Sequence, residues 1–244
     1  MLRKWEELPD NFKNQRVRKY YDILNKKRGT LLLKRLFDVV AGVIAFVVLI
    51  PLILLLFFII KLDSKGTAIF RQVRVTQYNK TFHILKFRTM VENAEKIGTQ
   101  VTMNNDSRVT KIGKFLRKYR LDEILQLINI IKGDMSFVGT RPEVVKFVEH
   151  YSDEMMATLL LPAGVTSETS IIFKEEERIL NSAENADEAY INLVLPEKMK
   201  YNLLSLEGFS FYKDIKTMIK TVLSVIKRDS SIINIDNPAE MHIN

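Results

Sequence analysis

The stretch that decides the fold is Gly113–Glu143, "GKFLRKYRLDEILQLINIIKGDMSFVGTRPE". It places two adjacent carboxylates, Asp122 and Glu123, in a basic neighbourhood. Between Arg108 and Arg141 the chain carries eight Lys or Arg residues against three acids. A surface with this charge balance attracts anions.

Apolar residues in the middle of this stretch recur at helical spacing, and polar residues fall on another face. The apolar set is Leu121, Ile124, Leu125, Ile128 and Ile131, and the polar set is Lys118, Asp122, Gln126 and Asn129. We therefore predict that Asp122 lies on an amphipathic helix whose polar stripe faces a cleft or water. Neighbouring carboxylates resist joint ionisation unless a metal ion or an arginine balances them, so the pair is a candidate site. An ordinary solvated helix face is the alternative.

A second decisive feature is the uncharged run Val39–Ile60, which holds 22 residues and would span about 33 Å as a helix. It predicts membrane association. Pro51 interrupts the run, and Asp38 stands at its entry, where a carboxylate needs the interface or a basic partner such as Arg35.

The charges that flank the apolar run favour one side of the membrane for both ends. Residues 1–35 hold eleven Lys or Arg against four acids, and residues 61–90 hold seven against one. Positive residues favour the cytoplasmic side, so a helix broken at Pro51 that enters and leaves through one leaflet satisfies both flanks. A simple crossing is the alternative.

Two short strands follow the anchor. "AIFRQVRV" and "TFHILKF", separated by the polar turn 77–80, predict a β-hairpin. Its cations Arg74, Lys86 and Arg88 are candidates for holding phosphate oxygens.

Beyond the central stretch, Pro142 occupies a position suited to the first turn of a helix over 142–161. Arg141 would then precede a helix N-terminus, which also favours an anion. Helices are further predicted over 186–206 and 209–227, the last with one apolar stripe and lysines around it, suited to a membrane interface or to the protein core. The charged cluster 174–178 is expected to be solvated.

Three blocks, in this order along the chain, resemble the bacterial sugar transferases, the monotopic polyprenyl-phosphate phosphoglycosyl transferases. The first is "KRLFD" (Lys34–Asp38), and the second is "FRQVRV" followed by "KFRTM" (Phe70–Met90). The third runs over Arg108–Glu143 as "R-x-T-x-x-G-x-F-L-R-x-x-x-L-D-E-x-x-Q-L-x-N-x-x-x-G-D-M-S-x-V-G-x-R-P-E". The resemblance covers Lys34–Val225 and implies a re-entrant membrane hairpin.

The resemblance also implies an activity. Asp122 would attack the β-phosphate of a nucleotide-diphosphate sugar, with a UDP-sugar the expected donor, expel UMP and hold the sugar phosphate covalently. Polyprenol phosphate would then accept the sugar phosphate and begin a glycan on its lipid carrier, as in exopolysaccharide, capsule or O-antigen synthesis. Glu123 would bind Mg²⁺ or take a proton. The expected phosphate contacts are Lys86, Arg88, Arg117, Arg141 and Arg74, and the expected anchor residues are Lys34, Arg35, Asp38 and Pro51.

Composition limits the alternatives. The 37 Lys and Arg residues against 29 Asp and Glu make the protein basic, which suits phosphates, anionic lipids or nucleic acid. The absence of cysteine excludes disulfides, thiolate nucleophiles and cysteine metal sites. A membrane-tethered binding protein without catalysis is the competing hypothesis, but the sequence has no motif of basic residues interleaved with stacking aromatics, so no nucleic-acid partner is expected.

The predicted fold is α+β and mainly helical, on the cytoplasmic face of the bacterial inner membrane. It divides into an N-terminal extension (1–33) without a catalytic role, a membrane anchor (34–61), a catalytic domain (62–228) and a polar tail (229–244). The sugar and the oligomeric state stay open, a homo-oligomer included.

Overall fold

One long apolar helix organises the chain. The computed structural model describes residues 2–94, 106–173 and 185–226, so the predicted tail 229–244 and the cluster 174–178 lie outside the described residues. Helix α1 (Gln15–Asn25) precedes helix α2 (Arg28–Asp63), which is 36 residues long and is long and apolar enough to cross a membrane. Pro51 lies inside α2, and the backbone is helical on both sides of it.

One face of α2 packs on the rest of the protein, and the opposite face is exposed. Arg35 donates to the carbonyl oxygens of Ile130 (2.7 Å) and Ile131 (2.9 Å), and Asp38 accepts from the backbone N–H of Phe137 (3.2 Å). Of the two expected environments of Asp38, pairing with Arg35 is therefore not observed, because each side chain binds a different backbone group. The exposed large apolar side chains include Leu32, Leu36, Val40, Ile44, Val47, Val48, Leu54, Leu55, Phe58 and Leu62.

The predicted β-hairpin is confirmed. Strands β1 (Ile69–Thr76) and β2 (Lys80–Phe87) pair antiparallel in a register that joins Ile69 to Phe87 and Thr76 to Lys80. Phe87 and Ala68 pack on Leu56 and Ile60 near the end of α2. The hairpin therefore runs beside the membrane helix.

The N-terminal extension is part of the core. Phe12, Val17 and Leu24 are fully buried in a cluster that also contains Val75 and Tyr78 of the hairpin region. The Tyr78 hydroxyl accepts a hydrogen bond from the backbone N–H of Arg3 at 2.8 Å, and aromatic Trp5 packs on Tyr21. The segment before α2 and the segment after it thus share one hydrophobic core.

Helix α3 (Lys111–Lys118) and helix α4 (Gln126–Lys132) are joined by a 3₁₀ turn, Leu121–Glu123. The prediction that Asp122 lies on the amphipathic helix is wrong. Arg120 adopts a left-handed conformation (φ 53°) that ends α3, and the chain tightens into the turn before α4 begins.

A second, parallel pair of strands was not predicted. Strand β3 (Met135–Val138) pairs with β4 (Ala163–Thr166), and Gly139, just after β3, lies against Gly164 of β4. A Cβ on Gly164 would overlap the backbone of Gly139, so this approach requires glycine.

The predicted helix over 142–161 is wrong for most of its length. Only α5 (Val145–Val148) and a 3₁₀ segment (Met155–Leu160) are helical. The carbonyl oxygens of Pro142 and Glu143 accept hydrogen bonds from β1 and are therefore not available to start a helix at Pro142. Arg141 consequently does not precede a helix N-terminus.

The C-terminal helices are confirmed. After the short α6 (Glu168–Ile172), the chain forms α7 (Ala186–Ala189), a π-helical turn (Tyr190–Val194) and α8 (Leu195–Glu207). These pack on α5 and on the N-terminal cluster.

Helix α9 (Phe211–Ile226) directs Asp214, Thr217 and Thr221 toward the protein, while its lysines and several of its apolar side chains are exposed. Asp214 lies 2.8 Å from Lys34 of α2, and the Thr221 hydroxyl lies 2.7 Å from that of Thr166. The exposed apolar side chains are Tyr212, Ile219, Val222 and Leu223. An apolar stripe therefore remains on the outer surface, beside the start of α2.

Candidate active site

Lys86 is the cation that the hairpin contributes to the site. It lies near the end of β2, on the inner face of the hairpin together with Arg74. Burial lowers the pKa of Lys86, and the neighbouring Glu123 opposes that shift. A buried ammonium group of this kind requires a carboxylate partner.

Glu123 is that partner, and it is held by two cations. Its Oε1 lies 2.9 Å from Lys86 Nζ and 3.0 Å from Arg141 Nη2, and Arg120 Nη1 lies 3.9 Å from the other oxygen. Burial alone would raise the pKa of Glu123, but Lys86 and Arg141 outweigh it and hold the pKa well below its usual range. Glu123 is therefore ionised at neutral pH.

Asp122 has a different environment from its neighbour. Burial, and next the charge of Glu123, raise the pKa of Asp122, while Lys86 and Arg117 oppose the shift. Within the described residues, no side chain donates a hydrogen bond to its carboxylate, which contacts its own backbone N–H. Of the two adjacent acids, Glu123 is therefore held by cations, whereas the carboxylate oxygens of Asp122 are available.

Arg117 approaches Asp122 from the last turn of α3. Its Nε donates to the Thr89 hydroxyl at 2.8 Å, just beyond the end of β2. Gly113 permits this approach, since a Cβ there would overlap the Thr89 carbonyl group. The packing of α3 on the end of β2 therefore positions Arg117.

Arg88 lies away from the carboxylates, although the sequence placed it among the phosphate contacts. It is buried, and it donates to the carbonyl oxygens of Ser64 (2.8 Å) and Lys65 (2.5 Å) and to the Ser64 hydroxyl (2.9 Å). These hydrogen bonds of Arg88 connect the end of α2 to the hairpin.

A buried charge network that the sequence did not indicate lies behind Arg141. Glu143 accepts from the Tyr190 hydroxyl at 2.5 Å and lies 3.5 Å from Lys198 Nζ. Burial would raise the pKa of Glu143, but Lys198, Tyr190 and Arg74 outweigh it and lower the pKa. The "RPE" string contains Glu143, yet nothing local pointed to Tyr190 or Lys198, which are far along the chain.

Arg74 connects this network to the site. It donates to the Pro142 carbonyl at 3.1 Å and to the Gln72 side chain at 2.8 and 3.0 Å. Burial lowers the pKa of Arg74, and Glu143 is the main charge that opposes the shift. The structure thus brings together Asp122, Glu123, Lys86, Arg117 and Arg141, with Arg74 behind them.

The amino-acid sequence has relatives among known proteins. A family model described as bacterial sugar transferase matches residues 29–228. The chain belongs to the bacterial sugar transferase family. Residues 2–25, which build part of the core, precede the matched region.

Three relatives illustrate the range of this sugar transferase family. A UDP-N-acetylgalactosamine-undecaprenyl-phosphate N-acetylgalactosaminephosphotransferase from Aeromonas hydrophila is 34% identical over 197 residues, which cover 80% of this chain and 44% of the relative. A UDP-glucose:undecaprenyl-phosphate glucose-1-phosphate transferase from Caulobacter vibrioides is 32% identical over 201 residues, which cover 81% and 71%. A putative undecaprenyl-phosphate N-acetylgalactosaminyl 1-phosphate transferase from Bacillus subtilis is 38% identical over 135 residues, which cover 55% and 75%. The chain therefore spans less than half of the Aeromonas protein.

The carboxylate pair is the candidate place for the magnesium ion that the sequence led us to expect. Among the described residues, no group of three or more His, Asp or Glu side chains could hold a metal ion. Mg²⁺ is commonly bound by one or two carboxylates together with substrate phosphates. Asp122, with its available oxygens, and the second oxygen of Glu123 meet that requirement.

Proposed function

We propose that this protein transfers a sugar 1-phosphate from a nucleotide-diphosphate sugar, with a UDP-sugar as the expected donor, to polyprenyl phosphate. The observation that carries the proposal is the contrast between two adjacent carboxylates. Glu123 is fixed by Lys86 and Arg141, whereas Asp122 keeps its oxygens available beside Lys86 and Arg117. The names of the relatives, which combine UDP-sugars with undecaprenyl phosphate, support the substrate classes.

In the first half of the reaction, an oxygen of Asp122 attacks the β-phosphorus of the donor. The bond from that phosphorus to the oxygen bridging the two phosphates breaks, and UMP leaves with the bonding electron pair. The sugar phosphate stays on Asp122 as an acyl phosphate, so one transfer is divided into two steps.

In the second half, a phosphate oxygen of polyprenyl phosphate attacks the same phosphorus. The bond to Asp122 breaks, the carboxylate is restored, and the product is a polyprenyl-diphosphate sugar. Such a product is the first lipid-linked unit of a glycan.

The surrounding cations suit phosphoryl transfer, in which catalysis depends mainly on positioning and on neutralising phosphate charge. Arg141 and Lys86 contact Glu123, and the charges of Lys86 and Arg117 act on Asp122. When bound, Mg²⁺ would add to this neutralisation. Because its pKa is lowered, Glu123 is a weak base, and we assign it an electrostatic role rather than proton transfer.

We also propose that α2 enters and leaves the inner membrane through the cytoplasmic leaflet. The segments on either side of α2 share one core, in which Leu24 packs with Val75 and Tyr78. A helix that crossed the bilayer as a straight rod would separate those segments by the membrane. The exposed apolar stripe of α9, beside α2, would rest at the same interface.

The activity is tested by measuring UMP release from UDP-sugars by the detergent-solubilised protein with Mg²⁺ and polyprenyl phosphate. The proposal predicts UMP release with at least one sugar of a panel, accompanied by a lipid-linked sugar diphosphate. The absence of UMP with every donor would favour the competing hypothesis, a membrane-tethered basic protein that binds without catalysis.

A further inference from the structure

The loop that carries Arg141 connects β3 to α5, and both of its ends are held by hydrogen bonds to strands. At one end, the Gly139 N–H donates to the Thr166 carbonyl at 3.0 Å, and the Gly164 N–H donates to the Thr140 carbonyl at 2.8 Å. At the other end, β1 donates to the two carbonyl oxygens that follow Arg141. The backbone on either side of Arg141 is therefore held by both pairs of strands.

Glu143 anchors the same loop through its side chain, on residues that lie far along the chain. Its Oε1 accepts from the Tyr190 hydroxyl at 2.5 Å and lies 3.5 Å from Lys198 Nζ. The Lys198 ammonium group also donates to the Tyr190 hydroxyl, at 3.0 Å. All three residues are more than nine-tenths buried. Because a buried carboxylate that loses its partners is costly, these contacts fix the position of Glu143.

A π-helical turn brings Tyr190 and Lys198 to the same side of their helix. The two residues are eight positions apart, which in a regular α-helix leaves their side chains separated by about 80° around the axis. The turn Tyr190–Val194 accommodates about one extra residue and reduces that angle to about 20°. Such π-helical turns are rare and are frequent at functional sites. Here the turn forms the Tyr190–Lys198 pair that holds Glu143.

The anchored Glu143 lies two residues after Arg141, which contacts the carboxylate pair. Arg141 Nη2 is 3.0 Å from Glu123 Oε1. A shift of Glu143 would therefore move the backbone at Arg141, and with it the guanidinium group in the site. A displacement of about 1 Å in a catalytic arrangement can lower the rate by about 10²-fold, even when its cause lies far from the reacting atoms.

We propose that Tyr190 and Lys198 are positioning residues for Arg141, and that they act through Glu143. This inference rests on the proposed function, in which Arg141 neutralises phosphate charge, and it identifies the residues that hold that arginine in place. The C-terminal helices would then contribute to the reaction without contacting the substrate. The competing interpretation is a buried network that only stabilises the fold.

The test measures whether Tyr190 acts on the reaction through Arg141. Tyr190→Phe removes the hydrogen bond to Glu143 and keeps the ring that packs on Phe147. We expect kcat/KM for the UDP-sugar, measured by UMP release, to fall about tenfold, as for the loss of a hydrogen bond to a charged group. In an Arg141→Met background the same substitution should change kcat/KM by less than about twofold, because the arginine on which it acts is absent. An equal change in both backgrounds would overturn the proposal.

Tyr20→Phe is the matched control. Tyr20 is buried in the N-terminal cluster and donates to Glu154 at 2.7 Å, so this variant also removes a hydrogen bond from a buried tyrosine to a glutamate. Both variants should lower the unfolding temperature, but only Tyr190→Phe should lower kcat/KM. An equal loss of kcat/KM in the two variants would show a general effect of stability and would overturn the positioning role.

The position of Arg141 is also measured without any enzymatic activity. Phenylglyoxal modifies accessible arginines, and peptide mass spectrometry gives the rate at each of them. Arg141 should be modified about threefold faster in Tyr190→Phe and in Lys198→Met, because a loosened side chain is accessible more of the time. Tyr20→Phe should leave that rate unchanged, and an unchanged rate in the two network variants would overturn the proposal. Absence of UMP release by the unaltered protein with every donor would instead refute the proposed function, so the two failures are distinguishable.

Discussion

Lys86 and Glu123, which are 37 positions apart in the sequence, form an ion pair with 2.9 Å between Nζ and Oε1. The pair joins the hairpin to the turn that carries Asp122, and Arg141 contacts the same glutamate oxygen at 3.0 Å. Both side chains of the pair are largely buried. Glu123 is therefore kept ionised, and its charge contributes to the raised pKa of the adjacent Asp122.

Lys86→Met should reduce kcat/KM for the nucleotide sugar by about 10²–10³, the loss typical of removing one preorganised electrostatic contact. The substitution removes the cation and retains the length of the side chain. The measurement is UMP release as a function of donor concentration. Lys80→Met, at the exposed start of the same strand, is the matched control. Equal activity of the two variants would show that Lys86 contributes only to folding or not at all.

Glu143→Gln should destabilise the protein by about 3–5 kcal/mol at neutral pH, because it leaves Lys198 buried without a carboxylate. The folded pKa of Glu143 is lowered from 4.5, so its stabilising contribution is present above about pH 4.5 and disappears as the pH falls through the folded pKa. Thermal unfolding of both proteins across pH 3–8 checks this. The difference in unfolding temperature should shrink below about pH 4.5, and a difference that does not depend on pH would contradict the assignment.

A re-entrant anchor predicts that both ends of α2 are on the cytoplasmic side. The chain contains no cysteine, so Lys26→Cys and Lys65→Cys each introduce a single reactive site at an exposed position flanking the helix. A membrane-impermeant maleimide should label neither variant in intact cells and both in inverted membrane vesicles. Labelling of one variant from each side would show that the helix crosses the bilayer.

The elements that were predicted correctly depend on local pattern. The alternation of apolar and polar residues predicted the hairpin, and a continuous apolar run predicted α2. Apolar residues at helical spacing predicted α9. The string around Asp122 and Glu123 made them the candidate site, which stays a prediction, and the structure places Lys86, Arg117 and Arg141 close to the pair.

The predictions that failed depend on contacts between distant residues. Residues 142–144 do not form a helix, because β1 binds the carbonyl oxygens of Pro142 and Glu143. The helix propensity of the sequence after Pro142 gives no information on that contact. The turn at Asp122 follows from the left-handed backbone conformation of Arg120. Glycine is the residue that usually signals this conformation, so an arginine at this position did not indicate the turn. The hydrogen bonds of Arg88 to the end of α2, and the contacts of Glu143 with Tyr190 and Lys198, also join residues far apart in the chain, so no local pattern indicates them.

The aspartyl intermediate is tested most directly by the intact mass of the protein after brief mixing with a UDP-sugar and Mg²⁺ in the absence of polyprenyl phosphate. We expect a mass increase equal to one sugar phosphate, located at Asp122 by peptide mapping and lost when polyprenyl phosphate is added. Asp122→Asn should show no increase, whereas Asp153→Asn, at an exposed aspartate, should match the unaltered protein. Turnover in Asp122→Asn, or a sugar phosphate attached to any other residue, would contradict the account.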